Sequence, residues 1–124
     1  MKTKKKKKIF VIDDDHNILK LLEVTLKEWA YEVVTSDNGI DWMQIIERET
    51  PDLILLDIKL PGLDGMSICS EITTSYNMPV IMISVIDDKL VKNTSNELGA
   101  SEYITKPIDN KELKTKIERF IGKN

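Results

Sequence analysis

The sequence predicts an α/β fold, a five-stranded parallel sheet with helices on both faces. Three observations carry that expectation. Short apolar runs without polar alternation, such as Leu53-Ile-Leu-Leu56, read as strands covered on both sides, the habit of parallel sheets. Between them lie segments whose apolar residues recur with the 3.6-residue period of a helix, so strand and helix alternate five times. All four prolines and all five glycines fall at the joints or termini, and none interrupts an apolar run.

Taken in order, Ile9–Ile12 is the first strand. Ile18, Leu19, Leu22, Leu26 and Trp29 then mark one face of a helix. Tyr31–Thr35 is half-polar, as an edge strand would be. Ile40, Met43 and Ile46, joined by Trp42, mark the second helix. The third strand, Leu53–Leu56, ends abruptly on Asp57 and meets Pro61-Gly62 within four residues. Met66, Ile68, Cys69 and Ile72 form a short third helix, and Val80–Ile83 the fourth strand. The segment Lys89–Leu98 has the poorest stripe, only Leu90, Val91 and Leu98, so it is expected to be the least stable helix. Tyr103–Ile104 is the last strand. Leu113, Ile117, Phe120 and Ile121 line the last helix, which Asp109-Asn-Lys-Glu112 opens with a capping-box pattern.

At 124 residues, with 41% apolar and 31% charged residues, the chain is sized for one domain with one core. No apolar run approaches the roughly 20 residues of a membrane span. The N-terminus is basic but has no apolar stretch with a small-residue cleavage site, and the single Cys69 cannot form an internal disulfide. A cytoplasmic location is the expectation. The net charge of −3 hides an asymmetry: six lysines stand in residues 1–8, leaving 12 basic against 21 acidic residues, about −9, for the rest. Residues 1–8 are read as a mobile basic tail and 9–122 as the domain. Without interleaved aromatics, and with an acidic body behind it, the tail predicts neither nucleic-acid nor membrane binding.

Right-handed crossovers place the carboxyl ends of all five strands on one edge of the sheet, where open α/β sheets bind ligands. Strand one ends in Asp13-Asp14-Asp15, strand three in Asp57, strand four in Ser84, and strand five in Thr105-Lys106-Pro107. Residues far apart in the chain thus converge on an acidic pocket with one hydroxyl and one ammonium. Clustered carboxylates repel one another unless a cation neutralises them, and hard oxygen donors suit Mg²⁺. Acids favourable to a helix N-terminus explain one or two of the three aspartates, but not all. A carboxylate beside a divalent metal can act as nucleophile in phosphoryl transfer, giving an acyl phosphate. The transferring oxygens need partners, and the metal, Lys106 and Ser84 with backbone N–H groups supply them.

Five features, in order, resemble a response-regulator receiver domain of two-component signalling. They are Ile-Phe-Val-Ile-Asp13-Asp14-Asp15; Pro51-Asp-Leu-Ile-Leu-Leu-Asp57 with Pro61-Gly62 and Asp64-Gly65; Pro79-Val-Ile-Met-Ile-Ser84; Gly99-Ala100 before Tyr103; and Lys106-Pro107. The resemblance runs from Lys8 to Ile121 and implies a flavodoxin-like strand order 2-1-3-4-5. It implies Asp57 as phosphoacceptor. It also implies Mg²⁺ held by Asp57, by Asp14 directly, by Asp13 largely through water, and by the backbone carbonyl of Lys59. Ser84 resembles the switch hydroxyl, Lys106 the phosphate-pairing lysine, and Tyr103 the aromatic that turns inward on activation. A cis Lys106–Pro107 bond is implied as well. The implied partners are a sensor histidine kinase or phosphotransfer protein and a downstream effector domain or protein. They would be reached through the face of helix four, strand five and helix five, which also serves a homodimer. On this reading the chain catalyses only its own phosphorylation and dephosphorylation, and helix four moves most. His16 is read as solvent-facing. The chain stops soon after helix five, so it is either a stand-alone receiver or a piece of a longer regulator.

Three positions depart from the family pattern: Val85, where a small residue is usual, apolar Ile86, and cationic Lys59 at the mouth of the site. Two rival readings compete. In a haloacid-dehalogenase-like phosphatase, Asp13-x-Asp15 would be the nucleophile motif, but His16-Asn17 does not fit and Asp57 would have no role. An unphosphorylated receiver-like interaction module would tend to lose an acid or the lysine, and this chain keeps both. A flavin site is disfavoured by the acidic loop after strand one.

Overall fold

The computed structural model describes residues 6–122. Five parallel strands form the sheet: β1 (Lys8–Ile12), β2 (Glu32–Ser36), β3 (Leu53–Asp57), β4 (Val80–Ser84) and β5 (Glu102–Thr105). Their order is β2-β1-β3-β4-β5, the order the resemblance implies, with β2 and β5 at the edges. Five helices alternate with them: α1 (His16–Glu28), α2 (Trp42–Glu49), α3 (Gly65–Ser75), α4 (Lys89–Glu97) and α5 (Asn110–Ile121). A small antiparallel hairpin, Lys59–Leu60 with Leu63–Asp64, follows β3 where the sequence suggests only a loop. No helix among the described residues is long and apolar enough to cross a membrane.

The unbroken apolar runs are explained by the two cores. In β1, β3 and β4, alternate residues point to opposite faces. Phe10, Ile12, Ile54, Leu56, Val80 and Met82 pack with Trp42, Ile45, Ile46, Ile68, Cys69 and Ile72 of α2 and α3. Ile9, Val11, Leu53, Leu55, Ile81, Ile83 and Ile104 pack with Leu19, Leu22 and Leu26 of α1 and with Leu113 and Ile117 of α5. Leu53 through Leu56 are all fully buried, and each such side chain stabilises the fold by roughly 1.5–3 kcal/mol.

Some expectations shift by a residue or more. Lys8, read as the end of the tail, opens β1: its N–H donates to Asp52 Oδ2 at 2.7 Å and its ammonium to Glu49 at 3.0 Å. The tail through residue 5 lies outside the described residues. Strand β2 starts after Tyr31, whose side chain is buried and whose hydroxyl donates to the Gly122 carbonyl at 2.9 Å. Helix α2 begins at Trp42, so Ile40 lies in the preceding loop; Trp42 and Ile46 are buried as expected, joined by Ile45, while Ile40 and Met43 are exposed. In α5, Leu113 and Ile117 are buried, while Phe120 turns partly outward.

Each of the five helices has aspartate at its N-cap: Asp15, Asp41, Asp64, Asp88 and Asp109. All but Asp41 accept hydrogen bonds from the first-turn N–H groups, which have no partner inside the helix. Because every helix starts where a strand ends, these caps crowd one edge of the sheet.

Candidate functional site

Strand register brings the site together before any side chain is considered. Ile12 pairs with Leu56, so the next residues, Asp13 and Asp57, stand side by side across the β1–β3 ladder. Ser84 pairs with Thr105, and the ladder runs one step further through the Lys106 N–H, which donates to the Ser84 carbonyl at 2.7 Å. Lys106 therefore starts its side chain beside the end of β4 and reaches back toward β1 and β3. The Lys106–Pro107 bond is cis, as the resemblance implies.

The Lys106 ammonium lies 2.7 Å from Asp13 Oδ2 and 3.5 Å from Asp57 Oδ2. Asp13 is 1% exposed and Asp57 6%, whereas Asp14 is open to solvent. One oxygen from each of Asp13, Asp14 and Asp57 falls within a 4.8 Å sphere of mutual distances. The three predicted acids are thus together, as hard donors of the kind Mg²⁺ takes. Asp15 is not one of them: its carboxylate caps α1 through the N–H groups of Asn17 and Ile18, and its own N–H donates to Asp13 Oδ1 at 2.9 Å. His16 is exposed and pairs with Asp37 at 2.9 Å, on the solvent side as expected.

Burial first, and then the neighbouring Asp13 charge, push the Asp57 carboxyl up from 3.8 to about 6, with Lys106 pulling the other way. Burial alone would lower Lys106, but the hydrogen bond and charge of Asp13, followed by Asp57, more than offset it and raise its pKa. The pocket is therefore short of positive charge: three carboxylates share one ammonium.

The remaining predicted residues lie around this centre. The Lys59 N–H donates to Asp57 Oδ1 at 3.2 Å, and its side chain is exposed at the mouth. Ser84 is 1% exposed, and its hydroxyl accepts from the Ile86 N–H at 3.1 Å. The Tyr103 hydroxyl donates to the Ile86 carbonyl at 2.6 Å, so the ring sits half-buried beneath the β4–α4 loop. Burial raises its phenol pKa, with the nearby Ser84 hydroxyl partly offsetting the rise. Ile86 is half-buried and Val85 is 70% exposed on the rim.

One residue with a positional role escapes a reading of polar groups. A Cβ at Gly65 would lie 2.5 Å from the carbonyl oxygens of both Asp57 and Ile58, and the Gly65 N–H donates to the latter at 3.0 Å. The start of α3 is thereby drawn against the backbone that carries Asp57. Its sequence signal is the Asp64-Gly65 pair, already part of the pattern that resembles a receiver domain, with Asp64 as the N-cap of α3.

Comparison with known proteins agrees with the fold. Residues 9–118 match the family model of the response regulator receiver domain. Among solved structures, the chain is similar to the BeF3-activated N-terminal receiver domain of Klebsiella pneumoniae RstA (32% identity, TM-score 0.88, 93% of this chain and 98% of that one). It is similar also to a putative response regulator from Chloroflexus aurantiacus (28%, 0.88, 96% and 100%). A third is a CheY-like response regulator receiver domain protein from Methanospirillum hungatei (30%, 0.85, 93% and 93%).

Two predictions follow from the pocket's electrostatics and backbone. Because the folded Asp57 titrates near 6 and the unfolded one near 3.8, the stability of its neutral form is full below pH 3.8 and lost as pH rises through about 6. In metal-free protein that loss is about 2–3 kcal/mol, and Asp57→Asn removes it. Thermal melts from pH 4 to 7.5 should therefore show the variant gaining on the native chain by several degrees; parallel curves would refute the shift. Gly65→Ala should weaken Mg²⁺ binding by about tenfold or more while the chain stays folded, because a carbonyl-to-Cβ clash moves the ligand backbone. Gly62→Ala, where an added Cβ meets open space, is the control for losing a nearby glycine without the clash. Isothermal titration that gives equal Mg²⁺ affinity for both variants would contradict a positional role for Gly65.

Proposed function

This chain belongs to the response regulator receiver domain family of two-component signalling, and on that footing we propose that it is a switch set by phosphorylation of Asp57. The observation that carries the reading is the trio Asp13, Asp14 and Asp57, gathered within 4.8 Å with the Lys106 ammonium between two of them. In the proposed step a carboxylate oxygen of Asp57 attacks the phosphorus of a sensor kinase's phosphohistidine. The O–P bond forms as the N–P bond breaks, and the departing imidazole takes up a proton from solvent.

The side chains divide the labour. Mg²⁺ held by Asp13, Asp14, Asp57 and the Lys59 carbonyl would neutralise charge on the transferring oxygens. Lys106 is already within reach of Asp57 and takes a second oxygen. The Ser84 hydroxyl takes the third, giving up its bond from the Ile86 N–H. Tyr103, tied through Ile86 to the same loop, reads that change and relays it to the face formed by α4, β5 and α5. That face would engage an effector domain, a partner protein or a second copy of the chain. BeF3 activation of the similar RstA receiver supports the same chemistry here.

The phosphatase alternative is weakened by the engagement of Asp15 in capping α1, which leaves no second acid of an Asp-x-Asp pair facing the pocket. The unphosphorylated-module alternative is weakened by the presence of every acid together with Lys106.

With Mg²⁺ and acetyl phosphate the chain should gain one phosphoryl group, and Asp57→Asn none; Asp14→Ala should lose most of its Mg²⁺ affinity. Intact-mass spectrometry checks the labelling, and undiminished labelling of Asp57→Asn would overturn the assignment. Steady turnover of small phosphate esters would favour the phosphatase.

The second prediction concerns lifetime. Hydrolysis needs water in line with phosphorus, opposite Asp57, and Lys59 and Ile86 flank that approach. Ile86 cannot hydrogen-bond a water through its side chain, and its carbonyl already accepts from Tyr103. Lys59 lies exposed at the mouth, where it can cover a phosphate oxygen. Loss of water positioning slows hydrolysis tenfold per about 1.36 kcal/mol, so the phosphoryl group should last on the order of minutes to hours. After donor removal in Mg²⁺, the double variant Ile86→Glu with Lys59→Asn should decay at least about tenfold faster. Decay of the native chain within seconds, or equal rates, would show that these side chains do not govern the water.

A further inference from the structure

Helix α4 is held to the sheet differently from its four companions. The others each bury two or more large apolar or sulfur-bearing side chains, but the one fully buried residue of α4 is Ser95. The Ser95 hydroxyl is the one buried side-chain polar atom among the described residues without a hydrogen-bond partner. Leu90 points away, 73% exposed, and Val91 adds only a half-buried contact. A cleft of about 220 Å³, lined in part by Lys92, Ser95, Ala100 and Tyr103, lies between α4 and β5.

Polar contacts hold the helix at its two ends instead. At the C-terminal end the Thr73 hydroxyl of α3 lies 3.0 Å from the Leu98 carbonyl, its one proton shared with the Cys69 and Ser70 carbonyls of its own helix at 3.1 Å. Gly99, at φ +102°, approaches so closely that a Cβ would sit 2.5 Å from that hydroxyl, and Ala100 is buried. Nearer the N-terminus, the Lys92 ammonium lies 2.6 Å from Asp87 Oδ1 and 5.5 Å from the Tyr103 ring centroid. Tyr103 in turn donates to the Ile86 carbonyl, one residue before Asp87. Helix, loop and strand are closed into one ring of contacts by a single ammonium.

We propose that α4 is a lever hinged at Leu98–Ala100, and that Lys92 is the latch coupling its free end to the half-buried position of Tyr103. The inference rests on the receiver reading for the role of Tyr103, and deepens it by naming what ties that ring to the signalling helix. Lys92 and Asp87 are 39% and 70% exposed, so salt weakens the latch. An exposed ion pair with a cation–π contact shifts a two-state balance about fivefold, enough to be moved by phosphorylation.

The test uses the full, unphosphorylated chain, with hydrogen exchange on α4 and fluorine NMR of 3-fluorotyrosine at Tyr103. In Lys92→Met, which keeps the apolar stem, exchange of residues 90–94 should rise about fivefold or more at low salt while Leu98–Ala100 stay unchanged, and the Tyr103 resonance should move toward that of a solvent-exposed ring. Salt at about 1 M should produce the same changes in the native chain and none further in the variant. Unchanged exchange and resonance in Lys92→Met would overturn the latch, and an equal rise through Leu98–Ala100 would overturn the hinge. Acetyl phosphate labelling of Asp57 in both proteins is read separately. If the native chain does not label, the receiver reading fails; if both label and α4 is indifferent to Lys92, only the latch fails.

Discussion

One ammonium set among buried carboxylates is the interaction on which the site depends. Parallel pairing forces Asp13 and Asp57 to emerge side by side, almost fully out of water. Two such charges in a medium of low polarity repel strongly, and burial alone favours protonation. Lys106 relieves that conflict, bonded to one carboxylate and within 3.5 Å of the other. It relieves only part of it. With Asp14 included, three carboxylates face one ammonium, and the two uncompensated charges are what a divalent cation would neutralise. The same arithmetic favours a phosphoryl group only after a cation is present, since the bare pocket repels the anionic donor.

The acidity of this edge is a product of topology. Right-handed crossovers start every helix beside the end of a strand, and each of the five helices here begins with aspartate. Ten of the eleven aspartates consequently lie along the carboxyl edge of the sheet; the exception, Asp52, binds the Lys8 N–H at the opposite edge. Capping and catalysis use the same residue type at neighbouring positions, and what separates them is the partner. Asp15 spends its oxygen on the N–H groups of α1, whereas Asp13 and Asp57, at strand ends, face into the pocket.

That distinction marks the limit of what the sequence made legible. The strand runs, the alternation and the convergence of Asp13, Asp14, Asp57, Ser84 and Lys106 were readable because each rests on a local pattern plus one chirality rule. Which of three consecutive aspartates would cap was not readable, because it depends on where α1 begins to turn. Helix α2 shows the same limit: the apolar spacing fits a stripe from Ile40, but the chain enters the helix only at Trp42, and the buried face rotates accordingly. Helix ends were hidden for a related reason. Ala30, Thr50 and Asn77 take positive φ after α1, α2 and α3 without the glycine that would advertise it. Gly65 and Lys92 act through approach distances that no spacing encodes.

The uneven anchoring of the helices bears on which of them can carry a signal. A fully buried Leu or Ile contributes about 1.5–3 kcal/mol, so displacing α1 or α5 would cost several such terms at once. Contacts made around one phosphoryl group cannot offset that. Exposed ion pairs and single hydrogen bonds contribute about 1 kcal/mol or less each, and α4 is held chiefly by these. Driving a two-state equilibrium nearly to completion in either direction takes about 5.5 kcal/mol, a sum the polar contacts of α4 put within reach and the apolar contacts of its neighbours do not. The poor apolar stripe of Lys89–Leu98 is therefore the property that makes this helix movable while the sheet and its other helices stay fixed around the pocket.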